Sequence, residues 1–173
     1  MKNLACALGI PLLLLGCSTA VDPQPSSACR PFTLVSDGRQ RTVDHLDFGK
    51  EGLGPGDVRM GYRTLSSQLG APVGHYRWIN ILLDPPSVSG HRAESLMMDV
   101  LALQDGQIHT QSLLEVVRRH DDTDQPHPAD FTAAVIGGTG AYSGARGTID
   151  ATVEDQVLTF AIDISCGPGL RSR

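Results

Sequence analysis

Asp99 is the first residue to question, because its neighbours are Leu96, Met97, Met98, Val100 and Leu101. A carboxyl that points into an apolar interior has a raised pKa and can act as a general acid. On an alternating strand the leading reading is the plainer one, an outward, solvated Asp. A second stretch, Thr42-Val43-Asp44-His45-Leu46-Asp47, also carries chemistry. Read as a strand, it puts Thr42, Asp44 and Leu46 on one face and Val43, His45 and Asp47 on the other. Arg59, Arg63 and Arg118 are further charges that matter only where they face inward. The run from His120 to His127 gathers oxygen and nitrogen donors, but its spacing fits neither an EF-hand nor a zinc pattern. It reads as a solvated loop, and no metal is expected.

Other chemistries are excluded by missing parts. The glycine-dense stretch Ala134 to Gly147 invites a dinucleotide reading, and Gly138 and Gly140 supply the first two glycines of the fingerprint. The third position is Ser143, and Gly144 comes one residue late. No Lys-Ser or Lys-Thr pair follows, as a phosphate-cradling loop would need. What does follow, Thr148 to Glu154, alternates with period two and suits a strand. The glycines therefore read as a strand that bends and re-enters a sheet, with Tyr142 placed to cover bare backbone. No nucleophile elbow, redox cysteine pair or zincin helix motif occurs, so no cofactor is expected. The formal charge of −5 gives no electrostatic case for nucleic acid.

The elements that must position these residues read as strands. Length (173 residues) and 40% hydrophobic content suit one domain, and 19 glycines with 5% aromatics suit a turn-rich β protein. The strands expected are Phe32–Ser36, Gln40–Phe48, Asp57–Ser66, Gly74–Leu83, Glu94–Gln104, Ile108–Arg119, Phe131–Ile136, Gly147–Val153 and Val157–Ser165. The first two are expected to pair across Asp37-Gly38. Glu94–Gln104 is apolar enough for a helix, but Asp105-Gly106 and the strand that follows mark a hairpin. Many short strands without an amphipathic helix imply a sandwich or a barrel.

The termini carry a different message. Lys2, the apolar run Ala5–Leu15 and the sequence Leu14-Leu15-Gly16-Cys17 read as a lipoprotein signal over residues 1–16, removed on export, with lipid attached at Cys17. Residues 17–30 form a Pro/Ser tether, and residues 31–173 a single domain. An ordinary secretory signal is the alternative. Ser18 after the cysteine carries no inner-membrane retention signal, so the expected location is the cell envelope at the outer membrane, with the domain in the periplasm or at the surface. Cys6 leaves with the signal and Cys17 is acylated, which leaves Cys29 and Cys166 to form a disulfide in an oxidising compartment, or to remain free thiols.

Val135-Ile136-Gly137-Gly138-Thr139-Gly140-Ala141-Tyr142-Ser143-Gly144-Ala145-Arg146-Gly147 resembles the signature of dirigent proteins and of bacterial proteins with an allene oxide cyclase barrel. Gly54-Pro55-Gly56-Asp57-Val58 through Leu65, then Gly70 and Gly74, is similar to the spacing near the start of those bacterial domains. Asp105-Gly106-Gln107-Ile108 is similar to their central hairpin. The resemblance runs from about Thr42 to Ile164 and implies an all-β, eight-stranded antiparallel β-barrel with an apolar interior. Plant allene oxide cyclases carry Y-E-I-N-E-R-D-R-G on the equivalent strand. Aligning Leu46-Asp47-Phe48-Gly49 on its last four residues puts Asp44 at the Asn and Thr42 at the Glu used in catalysis, so that carboxylate is missing. A one-residue slip of this alignment would exchange the strand faces.

The candidate catalytic residues are therefore Asp44 and Asp99, and the candidate ligand contacts are Thr42, Tyr62 and Met98. Gly137, Gly138, Gly140, Tyr142, Gly144, Arg146 and Gly147 carry the motif, with Arg146 expected to meet an acidic neighbour at the barrel rim. The leading expectation is a lipid-anchored, dirigent-like barrel holding a small apolar ligand. The alternative is a cyclase or isomerase that folds an oxylipin- or polyene-like substrate, and a structural envelope lipoprotein is a further one. A trimer or dimer is expected from the resemblance.

Overall fold

The computed structural model describes residues 29–49, 54–83, 92–117, 127–128 and 130–167. Its strands are β1 (Phe32–Asp37), β2 (Arg41–Leu46), β3 (Val58–Ser67), β4 (Pro72–Leu82), β5 (Arg92–Leu103), β6 (Gly106–Val117), β7 (His127–Pro128), β8 (Phe131–Gly140), β9 (Ala145–Glu154) and β10 (Val157–Cys166). Alternation of buried and exposed residues is cleanest in β10, where Leu158, Phe160, Ile162 and Ile164 are buried and Ala161 and Asp163 are not. That period of two buries one face of each strand and leaves the other for solvent.

Antiparallel pairing runs β1-β10-β9-β8-β6-β5-β4-β3, and β3 returns to β1 through Leu34↔Ser67 and Val35↔Ser66. The sheet therefore closes on itself as an eight-stranded antiparallel β-barrel. A closed sheet has no free edge, and at this size its interior is filled by side chains or holds one small ligand.

β1 and β2 do not pair with each other, contrary to the hairpin expected at Asp37-Gly38. They are two halves of one strand, broken by a 3-10 turn over Gly38–Gln40. Asp37 caps that turn by accepting from the Arg39 amide, and the Gly38 amide donates to Gln156 O on the β9–β10 turn. A side chain at Gly38 would run into that carbonyl. The Asp-Gly pair thus kinks a strand against its neighbour. Beyond the kink β2 pairs with β3 alone among the described residues.

One end of the barrel is packed. Leu34, Leu65, Leu101, Ile108, Val135, Ile149, Phe160, Ile162 and Ile164 form a continuous apolar cluster there. The glycine motif closes this end: Gly137, Gly138 and Gly140 finish β8, Tyr142 and Gly144 lie in the turn 141–144, and Arg146 and Gly147 begin β9. Tyr142 is buried over Gly138, where any Cβ would strike the Tyr142 backbone. Among the described residues Arg146 meets no acidic neighbour. Its Nη1 donates to the carbonyl of Ala145, 2.6 Å away.

Cys29 and Cys166 are joined in a disulfide with their Cα atoms 5.7 Å apart. Residues 1–16, Cys17, most of the tether, Arg118 and residues 120–126 lie outside the described residues, while His127, expected in that loop, begins β7.

Candidate functional site

Asp99 lies inside the barrel, with 4% of its surface exposed. β5 turns Ser95, Met97, Asp99 and Leu101 inward and leaves Met98 outward. Register then decides its neighbours, because residues directly opposite across a pair share a face. Asp99 stands opposite Trp78 of β4 and Thr110 of β6. Thr110 Oγ1 donates to Oδ2 at 2.9 Å, and Tyr76 Oη donates to Oδ1 at 2.8 Å. Loss of water raises the Asp99 pKa to about 7, against the two hydroxyl bonds, which lower it. Burial and the neighbouring carboxylate push the Tyr76 phenol well above its usual value. Near neutral pH Asp99 is thus populated in both forms, while Tyr76 stays a hydrogen-bond donor.

Further polar groups share the interior. Met97 stands opposite Asn80 and Ser112, Ser95 opposite Leu82 and Leu114, and Arg63 opposite Tyr76 and Arg41. Ser36 Oγ, Ser95 Oγ, Ser112 Oγ, Asn80 Oδ1 and the Nε and Nη1 of Arg63 are buried without a hydrogen-bond partner. Most buried polar atoms are satisfied, so several orphans facing one interior mark a place where a guest or water supplies partners. Apolar walls come from Trp78, Leu82, Met97, Leu114 and Phe131, with small Ala133 and Ala151 buried on the opposite strands. The indole of Trp78 lies on Gly61, its cross-strand partner, so closely that a Cβ there would collide with the ring.

The structure separates the remaining candidates from this interior. Thr42 and Asp44 are exposed and stand opposite Tyr62 and Met60 on the outer face. Tyr62 bonds His75 Nδ1 at 2.6 Å through its hydroxyl and carries the Arg77 guanidinium 5.4 Å above its ring, all on the outside. Met98 is 37% exposed on the outside of β5. Asp44, Thr42, Tyr62 and Met98 therefore do not line the interior. The inward face of β2 is the one with Arg41 and Val43, opposite Arg63 and Gly61. Its polar character hid it, because Leu46 makes the outer face look equally apolar. Tyr76, Thr110, Arg63 and the three serines were not singled out as site residues, Arg63 being named only as one of several charges. Thr110 carried no signal either: a two-residue Asp105-Gly106 turn would set Ser112 opposite Asp99, whereas the turn is Gln104-Asp105, and the Leu103↔Gly106 register brings Thr110 there.

Among the described residues no group of three His, Cys, Asp or Glu side chains stands where it could hold a metal.

The strands define a closed eight-stranded β-barrel, a fold shared with solved structures. No protein-family model matches the chain, and no curated protein matches it. Three solved structures are similar. Pyocyanin demethylase is 26% identical with a TM-score of 0.56, over 75% of this chain and 97% of its own. A nonspecific heme-binding cyclase that catalyses a 4 + 2 cycloaddition during neoabyssomicin biosynthesis is 14% identical with a TM-score of 0.52, over 76% of this chain and 64% of its own. The Diels-Alderase AbmU from Streptomyces koyangensis is 17% identical with a TM-score of 0.52, over 85% of this chain and 75% of its own. The last two share the barrel fold.

Proposed function

We propose that the barrel binds a small, mainly apolar molecule among Trp78, Met97 and Leu114 and acts on it as a cyclase or isomerase, with Asp99 moving the proton. One observation carries this reading: a buried carboxyl held by Tyr76 and Thr110, with its pKa near neutrality, beside buried hydroxyls that have no partner. Confinement of a reactive conformer away from water would supply much of the rate, and a positioned acid the rest. The similar structures include two cyclisation catalysts and a demethylase, all named for work on small molecules. The test is a carboxyl-carbon NMR titration of labelled protein, with Asp99→Asn to assign the signal. A midpoint near the ordinary Asp value would remove the proton-transfer role.

A dirigent-like barrel that holds its guest without making a bond is the second reading, favoured by the unpartnered serines. Native mass spectrometry of chain purified from its own cells separates the two: a guest recovered unchanged after long incubation supports binding alone.

We also infer that Cys17 anchors the chain in the cell envelope, on the strength of the Leu14-Leu15-Gly16-Cys17 sequence. Normal processing and unchanged membrane partition of Cys17→Ser would count against it. A dimer or trimer is supported by the outer face, where Leu113 is 60% exposed, Ile136 is 50% exposed and Met98 lies nearby. Sedimentation of the wild-type soluble domain as a monomer would reject the assembly.

A further inference from the structure

Arg63 is the unexplained charge of this interior. It is 4% exposed, and its Nε and Nη1 have no hydrogen-bond partner. A buried guanidinium keeps its charge, and leaving its donors dry and unpaired is unfavourable. Among the described residues, Asp37 and Asp99, the carboxylates on this side of the barrel, are already engaged. Asp37, the acidic neighbour across the 3-10 turn, is gripped by Arg39 through Nε at 2.9 Å and Nη2 at 2.7 Å and also accepts the Arg39 amide. Asp99 has one oxygen on Tyr76 and the other on Thr110. Arg41, opposite Arg63 on β2, adds like charge.

The positions around Arg63 sharpen the picture. Tyr76 stands directly opposite it and spans to Asp99, so Arg63, Tyr76 and Asp99 follow one another along the inner wall. Ser36 and Gly38, on the strand that bends over Arg63, offer one unpartnered hydroxyl and no side chain. A guest oxygen set there would meet cationic donors, while its carbon frame reached Trp78 and Met97.

We propose that the molecule held in the barrel is an organic anion, a carboxylate, enolate or phenolate on an apolar frame, whose charged oxygen pairs with Arg63. This rests on the interior being a binding site, as proposed above, and adds the chemical class of the guest. Arg63 is a recognition residue here, and proton transfer stays with Asp99. A negative guest also favours the protonated form of Asp99, which makes it an acid when the site is filled.

Two probes of one frame test the class: naphthalene-2-carboxylate and naphthalen-2-ylmethanol, titrated into the full soluble chain by calorimetry with the emission of Trp78 followed in parallel. Trp78 is the sole tryptophan, so its response reports the barrel interior. The carboxylate is expected to bind at least about tenfold more tightly than the alcohol, about 1.4 kcal/mol. Arg63→Met should bring that ratio to about one while the alcohol binds as before, and Arg63→Lys should keep part of it. Both probes binding the wild-type chain equally would overturn the anionic class and leave the interior site standing. Neither probe binding would overturn the interior site and this inference together. The wild-type ratio decides the class by itself, even where Arg63→Met does not fold.

Discussion

Asp99 shows how one residue can couple site chemistry to stability. Its pKa is about 7 inside the barrel against an ordinary value of 3.8 in the unfolded chain, because burial disfavours the charged form. The folded chain therefore holds this proton more tightly than the unfolded chain does. The stability contributed by the group is fully present below the unfolded value, declines as pH rises between the two, and is gone above about 7. Asp99→Asn keeps one acceptor oxygen for Tyr76 or Thr110, turns the other bond round so that the amide donates to the second hydroxyl, and carries no charge. Relative to the wild type, it should gain stability between about pH 5 and about pH 8, by roughly 2.5–3 kcal/mol, since about two pKa units of that interval lie below 7 at about 1.4 kcal/mol each. Urea denaturation of both proteins at the two pH values checks this, and parallel profiles would refute it. The position of Asp99 among apolar residues was legible in the sequence, but its direction was not. A strand reading offers two faces, and only closure of the sheet selects one.

At the scale of elements, most strands were legible and the errors have identifiable causes. β5 has the composition of a helix, yet the hairpin turn after it forces an extended partner, and it is a strand from Arg92 to Leu103. β8 runs on through Gly137 and Gly138 to Gly140, past the end expected at Ile136, because glycine permits the close approach of the turn that follows. β2 was the costly case, since its two faces are equally polar and no hydrophobic pattern announces the inward one. Nothing in the sequence singles out Gly61. Its need is visible only once Trp78 is seen resting on it, across the β3–β4 pair. Gly61→Ala should drive the indole out of its seat, at about 1–3 kcal/mol for overpacking. The urea midpoint should fall and the emission of Trp78, the sole tryptophan, should shift to the red. An unchanged spectrum with unchanged stability would mean that the indole does not depend on the bare backbone.

At the scale of the whole molecule, everything described depends on the seam where the sheet closes. β1 meets β10 through six paired positions, from Phe32↔Ile162 to Asp37↔Val157, but meets β3 through only two. The first strand is thus held firmly by the last and lightly by the strand that completes the ring. The Cys29–Cys166 bond lies just outside the well-paired side, tying the residues before β1 to the end of β10 across a sequence separation of 137. Cross-linking so long a loop removes chain entropy from the unfolded state, roughly 4–5 kcal/mol in the loop-closure model. Its absence should also be felt locally, because β1 carries Ser36 and the turn that bends over Arg63. With reductant, or in a Cys29→Ala, Cys166→Ala double variant, the urea midpoint should fall substantially. Amide exchange should quicken first in β1, before β5 and β6 respond, because it has the weaker pairing on one side. Superimposable unfolding curves with and without the bond, and equal protection of β1 in both, would show that strand pairing alone keeps the ring shut.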